Sequence, residues 1–324
     1  MPDHNTLPMS HYMQHINIKV KIALIITIIL WSSAFISIRI GLEAYTPGPL
    51  ALLRYLVASL CMLFFYLRLK KRSTLTFFDY GRAITCGILG FGVYNVALNM
   101  GEVTTNAAIS SFIISQVPLI TVLCASYFLK EKLSLTNKLG LLISFIGICV
   151  ILSSQYSGTT FNYGLIDVII ATLAMSLYNI LQKPLLQRMS AIEFTSIAMW
   201  SGTAMMLIFT PDLMYEIQQA PIWITINVIY MGIFPAAIAY FLWSYALSKV
   251  PTCYAAFYFY CIPLITTMMS IALLGETLST IGFLGGLIAL FGVVVAQRKN
   301  KTEKEQKSQT TLTTTQVSMA KEPS

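Results

Sequence analysis

The chain has 324 residues, 56% of them apolar and only 10% charged, with a formal net charge of +8. A soluble domain carries about 25% charged residues, so this composition excludes an ordinary soluble globular protein and points to one that faces lipid. The basic residues are scattered over many loops, which excludes a nucleic-acid-binding patch as the reason for the charge.

Residues 1–18 form a polar N-terminal tail. It holds all three histidines, His4, His11 and His15, which read as part of a flexible segment rather than a metal site. No metal and no cofactor is expected. Apolar stretches of the length that crosses about 30 Å of hydrocarbon then follow from Ile22 to Ile40, Leu50 to Leu67, Ala83 to Met100, Ala107 to Leu129 and Leu139 to Leu152. Five more run from Leu165 to Leu181, Phe194 to Thr210, Ile222 to Leu247, Cys253 to Leu274 and Ile281 to Ala296. None alternates apolar and polar residues as a barrel strand would. The first is longer than a signal-peptide core and has no small-x-small cleavage site after Leu30. Residues 298–324, rich in Lys, Glu, Gln, Thr and Ser, cannot bury enough apolar surface to offset the cost of ordering. The fold class expected is an all-α membrane protein of ten transmembrane helices.

The ten stretches are two copies of five. Pro118-Leu119-Ile120-Thr121, Glu131, Leu133-Ser134, Gly140 and Gly147 recur 145 residues later as Pro263-Leu264-Ile265-Thr266, Glu276, Leu278-Ser279, Gly285 and Gly292. The first quarter aligns with the third at nearly the same shift, setting Trp31 opposite Met175 and Arg39 opposite Lys183. An odd number of crossings per copy makes the copies point in opposite directions, the inverted-repeat architecture of many secondary transporters, with the site at the repeat interface. The expected organisation is the tail (1–18), a first half (19–154), a second half (155–297) and a C-terminal tail (298–324).

Charge placement orients the bundle. Arg68, Lys70, Lys71, Arg72, Arg82, Lys130, Lys132, Lys138, Lys183, Arg188 and Lys249 follow the even-numbered stretches, whereas the opposite loops hold Glu43, Glu102, Asp212, Glu216 and Glu276 with only Arg39 nearby. The positive-inside rule then puts both termini in the cytoplasm. The six cysteines fall in the apolar stretches without metal-type spacing and read as small buried residues.

The segment Leu30-Trp31-Ser32-Ser33-Ala34-Phe35 with Arg39, Pro47, Leu53-Arg54-Tyr55 and Ala58, and the segment from Asn106 through Pro118 to Glu131-Lys132-Leu133-Ser134, resemble the opening and close of an EamA-type half. From about Ile22 to Ala296 the chain is similar to the drug/metabolite transporter superfamily with two EamA domains. The resemblance implies an inner-membrane carrier of amino acids, other small metabolites or amphipathic drugs, working by alternating access around a central cavity. It departs from the pattern where Met175 replaces a frequent tryptophan and Ala198 stands opposite Arg54.

The residues offer candidates for that cavity, each with a structural alternative. Arg54, inside the second apolar stretch, either attracts a substrate anion or binds carbonyls near a helix end. Asn95 with Asn99, Ser111 with Ser115, and Asn179 with Gln182 lie at helical spacing and either line a wet path or make interhelical hydrogen bonds. Trp31, Tyr94, Tyr258 and Tyr260 offer aromatic walls or helix packing. Pro118 and Pro263, at equivalent positions, each remove a backbone hydrogen bond and are hinge candidates. Glycines Gly140, Gly147, Gly282 and Gly286 suit close helix packing.

Energy coupling is not legible: the carboxylates sit at the ends of the apolar stretches, and no GxxxxGK[ST] phosphate loop exists. Facilitated exchange and proton antiport both remain open, so protons join the small-molecule solute and the bilayer as candidate partners. A membrane-embedded transferase would need a nucleophile, paired carboxylates or a histidine cluster at a membrane face, and the histidines are confined to the tail.

Overall fold

The computed structural model describes residues 18–70, 72–121, 135–154, 162–250, 255, 258–277 and 279–296. The tail histidines, Glu131 with its flanking lysines, Cys124, Cys253 and the C-terminal tail lie outside them. The regular structure described is helical throughout. It comprises ten apolar segments, six long enough to cross a membrane and four shorter. They are α1 (Ile18–Gly41), α2 (Pro47–Leu67), α3 (Phe77–Thr104), α4 (Ala107–Thr121) and α5 (Leu135–Ser154) in the first repeat. The second holds α6 (Gly164–Leu185), α7 (Ala191–Gln219), α8 (Ile222–Lys249), α9 (Cys261–Leu274) and α10 (Thr280–Ala296).

The helix starts follow local chemistry. Thr76 and Asp79 close a capping box that begins α3 at Phe77, well before the apolar run, and Ser190 with Glu193 does the same for α7. Asn106 accepts from the Ile109 amide at 2.8 Å to start α4. At α2, Pro47 fills the first turn and the carboxylate of Glu216 accepts from the Thr46 amide at 3.0 Å and hydroxyl at 2.6 Å. Glu216 belongs to Thr210–Gln219, a helical segment that a 3₁₀ turn sets off from the apolar part of α7. The apolar run therefore ends near Thr210, as its hydropathy predicts, while the helix continues along the bundle end.

Bulky apolar side chains such as Ile22, Ile25, Ile29, Leu142, Phe145, Leu284 and Phe291 remain exposed on the outside of the bundle, a surface suited to lipid and not to water. The repeats meet most tightly where α5 crosses α10. A Cβ on Gly147 would come within 2.6 Å of the Ala289 main chain, and one on Gly292 within 2.3 Å of the Ser144 amide. The Ser144 hydroxyl donates to the Ala289 carbonyl at 3.1 Å, joining residues 145 apart in sequence, so this crossing lies on the pseudo-twofold axis. The glycines that α10 offers here are Gly285 and Gly292. Gly286, expected among them from sequence, instead meets the Phe112 ring.

Paired irregularities mark both repeats. α3 widens into a π-turn at Ile88–Val93, and α8 does so at Gly232–Ile238, the equivalent stretch. Such turns free carbonyls from the regular ladder and cluster at functional sites. α4 breaks at Ser115–Gln116 and α9 begins after a turn at Tyr260, each just ahead of its proline. Pro118 and Pro263 thus sit in the first turn of a renewed helical segment, where a missing amide hydrogen costs least.

Candidate functional site

All these irregularities surround one point. A void at the repeat interface is lined by α1 (Trp31, Ala34, Phe35, Ile38), α2 (Arg54), α3 (Tyr94, Leu98), α4 (Ile114), α6 (Met175), α8 (Tyr240) and the start of α9 (Phe259, Ile262). Trp31 and Met175 are repeat mates, as are Ile114 and Phe259, which precede Pro118 and Pro263 by four residues. Its free volume is about 20 Å³, room for about one water. Pockets that accept small organic molecules typically offer about 300–1,000 Å³, so the void as it stands is too small to hold one.

The walls are aromatic. Trp31 packs against Tyr240, Trp243 and Phe259 with ring centroids at 5.1, 5.2 and 5.4 Å, and Tyr240 lies 4.7 Å from Phe91. The indole Nε1 of Trp31 is buried without a hydrogen-bond partner.

Arg54 is the cation of this void. α2 starts at Pro47 rather than Leu50, so Arg54 lies about 10 Å into the helix, deeper than the sequence suggested. Its side chain is 3% exposed. Nη1 donates to Asn95 Oδ1 at 3.2 Å, Nε has no partner, and no carboxylate forms a salt bridge with it among the described residues. Asn95 is fixed in turn by the π-turn, its Nδ2 donating to the Phe91 carbonyl at 3.1 Å. A guanidinium taken from water and given one neutral hydrogen bond is held at considerable cost, which an incoming anionic group would relieve.

The remaining candidates are placed as follows. Tyr94 lines the void. Asn99 donates from Nδ2 to the Pro47 carbonyl at 3.0 Å and ties α3 to α2. Ser111 and Ser115 bond back to their own helix, at the carbonyls of Ala108 (2.7 Å) and Phe112 (2.6 Å). Asn179 accepts from Gln182 at 2.7 Å on α6. Tyr258 is half-buried and Tyr260 buried, and neither lines the void. Phe259, between them, is the residue that faces it. Tyr240, Phe259 and Ile114 are not among the cavity candidates read from the sequence, although Tyr240 and Asn95 are repeat mates.

Above the void, Arg39 follows directly on Ile38 and reaches sideways. Its Nε donates to Glu276 Oε1 at 3.1 Å, and its Nη1 donates to the Glu102 main-chain carbonyl. Glu276 also accepts from the Ala107 amide at 3.2 Å. This knot joins α1, α3, α4 and the turn after α9, and it borders an open recess of about 310 Å³. At the opposite end Arg188 bridges to Asp79 at 2.7 Å, and Glu193 accepts from Ser73 at 2.6 and 2.7 Å.

Comparison with known proteins agrees with this architecture. The EamA-like transporter family matches residues 19–153 and again 162–297. The chain is 33% identical over 276 residues to the "Uncharacterized transporter YdfC" of Bacillus subtilis, covering 85% of this chain and 90% of that one. It is 30% identical over 278 residues to the "Probable terminal-alkyne amino-acid exporter" of Streptantibioticus cattleyicolor, covering 86% and 93%. A solved crystal structure shares the fold with a TM-score of 0.59 at 16% identity, over 86% of this chain and 96% of its own. Two family matches in tandem, on two five-helix repeats enclosing a common void, make this chain a multi-pass membrane protein that belongs to the EamA-like transporter family.

Proposed function

We propose that this transporter is a secondary carrier that exports or exchanges amino acids or closely related small organic metabolites by alternating access. It operates in the cell inner (plasma) membrane with both termini in the cytoplasm. The observation that carries the reading is Arg54: a buried guanidinium with one hydrogen bond, facing a void whose other walls are aromatic and aliphatic. A single cation among apolar surfaces suits a solute with a carboxylate at one end and an apolar side chain at the other. The amino-acid exporter among its relatives supports the same class. The orientation rests on Arg68, Lys70, Arg72, Arg82, Lys183, Arg188 and Lys249 at one end of the bundle, so the Arg39 end faces outward.

The test is counterflow in proteoliposomes, with labelled leucine, phenylalanine and alanine offered to vesicles preloaded with the unlabelled compound. Saturable uptake of leucine or phenylalanine above protein-free vesicles is expected. Uptake confined to cationic amphiphiles such as ethidium would replace this reading with drug efflux. Absence of exchange for every compound would overturn both.

A further inference from the structure

The last turn of α3 carries a carboxyl group that the central void does not use. Glu102 is 0% exposed, and neither of its side-chain oxygens has a hydrogen-bond partner. Among the described residues the other fully buried or bound carboxylates have partners: Asp79 has Thr76 and Arg188, Glu193 has Ser73 and Ser190, Glu216 has Thr46, and Glu276 has Arg39 and Ala107. From sequence Glu102 reads as a loop residue at the end of an apolar stretch. It is buried because α3 continues to Thr104 and because Gly101 lets α6 approach, a Cβ there falling 2.8 Å from the Gly164 carbonyl.

The groups that act on Glu102 come from three neighbouring elements. Arg39 of α1 holds its main-chain carbonyl; Glu276, after α9, and Arg54 of α2 add their charges. Tyr94 is the ionisable side chain on its own helix that senses it. α6, packed against this turn, contributes the half-buried Asp167, and the first segment of α4, Ala107–Ile114, carries no charge. Along α3, Asn95, Asn99 and Glu102 are spaced by about one turn each, running from the Arg54 guanidinium to Arg39. Asn99 Oδ1 is also buried without a partner.

We propose that Glu102 is the proton-exchange site of this carrier, loading and releasing a proton through the 310 Å³ recess bordered by Arg39 and Glu276. The proposal rests on the transporter reading above and names its coupling ion. With a proton on Glu102, Arg39 stays on Glu276 and ties α1 to the turn after α9. Loss of that proton to water in the recess creates a second carboxylate beside Arg39. It competes with Glu276 for the guanidinium, and the tie across the repeats loosens.

Two measurements test this on the full-length protein. In detergent, infrared spectra taken across a pH series follow the carbonyl band of protonated carboxyl groups. A titrating band present in the wild type and in Glu276→Gln but lost in Glu102→Gln is expected, and a band that survives unchanged in Glu102→Gln overturns the proposal. In proteoliposomes a gradient of one pH unit supports about tenfold accumulation per proton. With labelled leucine or phenylalanine as probe, Glu102→Gln should retain counterflow and lose that accumulation; accumulation equal to wild type overturns the assignment. If Glu102→Gln does not fold, Arg39→Gln takes its place, and an unmoved pH midpoint of the band refutes the coupling to Arg39. Failure of every amino acid to exchange would sink the transport reading, yet the infrared titration would still decide whether Glu102 exchanges a proton.

Discussion

Replacing Arg54 by alanine separates a substrate anchor from a structural cation. The guanidinium makes one hydrogen bond, to Asn95 at 3.2 Å. Its removal orphans that carbonyl oxygen, at a cost of about 1–3 kcal/mol, and relieves a buried charge of its desolvation, so the protein should remain folded. Arg54→Gln, which keeps a donor for Asn95, serves as the control for packing. A hydrogen bond between guanidinium and carboxylate contributes about 1.5–3 kcal/mol, so half-saturation for a transported amino acid should rise about 10- to 150-fold. The same amino acid without its carboxylate, as the corresponding amine, should be handled equally by wild type and variant. The assay is counterflow in proteoliposomes for the acid and amine pair, with size-exclusion profiles confirming the fold. Wild-type half-saturation in Arg54→Ala, or an equal loss for acid and amine, would refute the reasoning and leave Arg54 as a helix-packing residue.

Gly147→Val should lower thermal stability by about 1–3 kcal/mol, because its Cβ meets main-chain atoms of Ala289 that cannot rotate away; Gly81→Ala, inside a helix with nothing within 4 Å, should instead raise the melting temperature slightly, by the helix preference of alanine over glycine. Fusions at the C terminus should give fluorescent green fluorescent protein and inactive alkaline phosphatase, and the reverse pattern would invert the orientation drawn from the basic loops. Arg188→Ala should cost less than about 1 kcal/mol, since Arg188 is 52% exposed and Asp79 keeps its bonds to Thr76; chemical or thermal unfolding of the purified protein measures it.

The number of helices and their duplication were legible because lipid demands long apolar runs and because the Pro118 and Pro263 segments repeat almost letter for letter. The boundaries were less so. Thr76 and Asp79 start α3 in polar sequence, and Thr210–Gln219 adds a polar helix that hydropathy ends before. Arg54 stood out as a charge inside an apolar run. Tyr240 and Phe259 were not chosen as cavity residues, because the face an aromatic residue presents depends on the π-turn in α8 and the break before α9, and these π-turns share no residue signature, Pro235 lying only in that of α8. Glu102 was misjudged for a related reason: burial at a helix end depends on what packs over it, here α6 at Gly101 and the Arg39 side chain.

The wide turn at Ile88–Val93 has a genetic corollary. It holds one residue more than the surrounding spiral would use, so deleting a single codon there would let the helix close up into regular winding with everything downstream keeping nearly its facing, whereas the same deletion in a regular stretch of α3 would swing the downstream part by about 100°. Asn95 and Glu102 would keep their facing toward Arg54 and Arg39, and what changes is the backbone, whose loosened carbonyls return to the regular ladder. The corresponding deletion in Gly232–Ile238 would likewise leave Tyr240 facing the indole it rests against. Frame-preserving losses of one residue should therefore be borne better inside these two wide turns than in the regular turns on either side of them, where the downstream face would rotate away from the void.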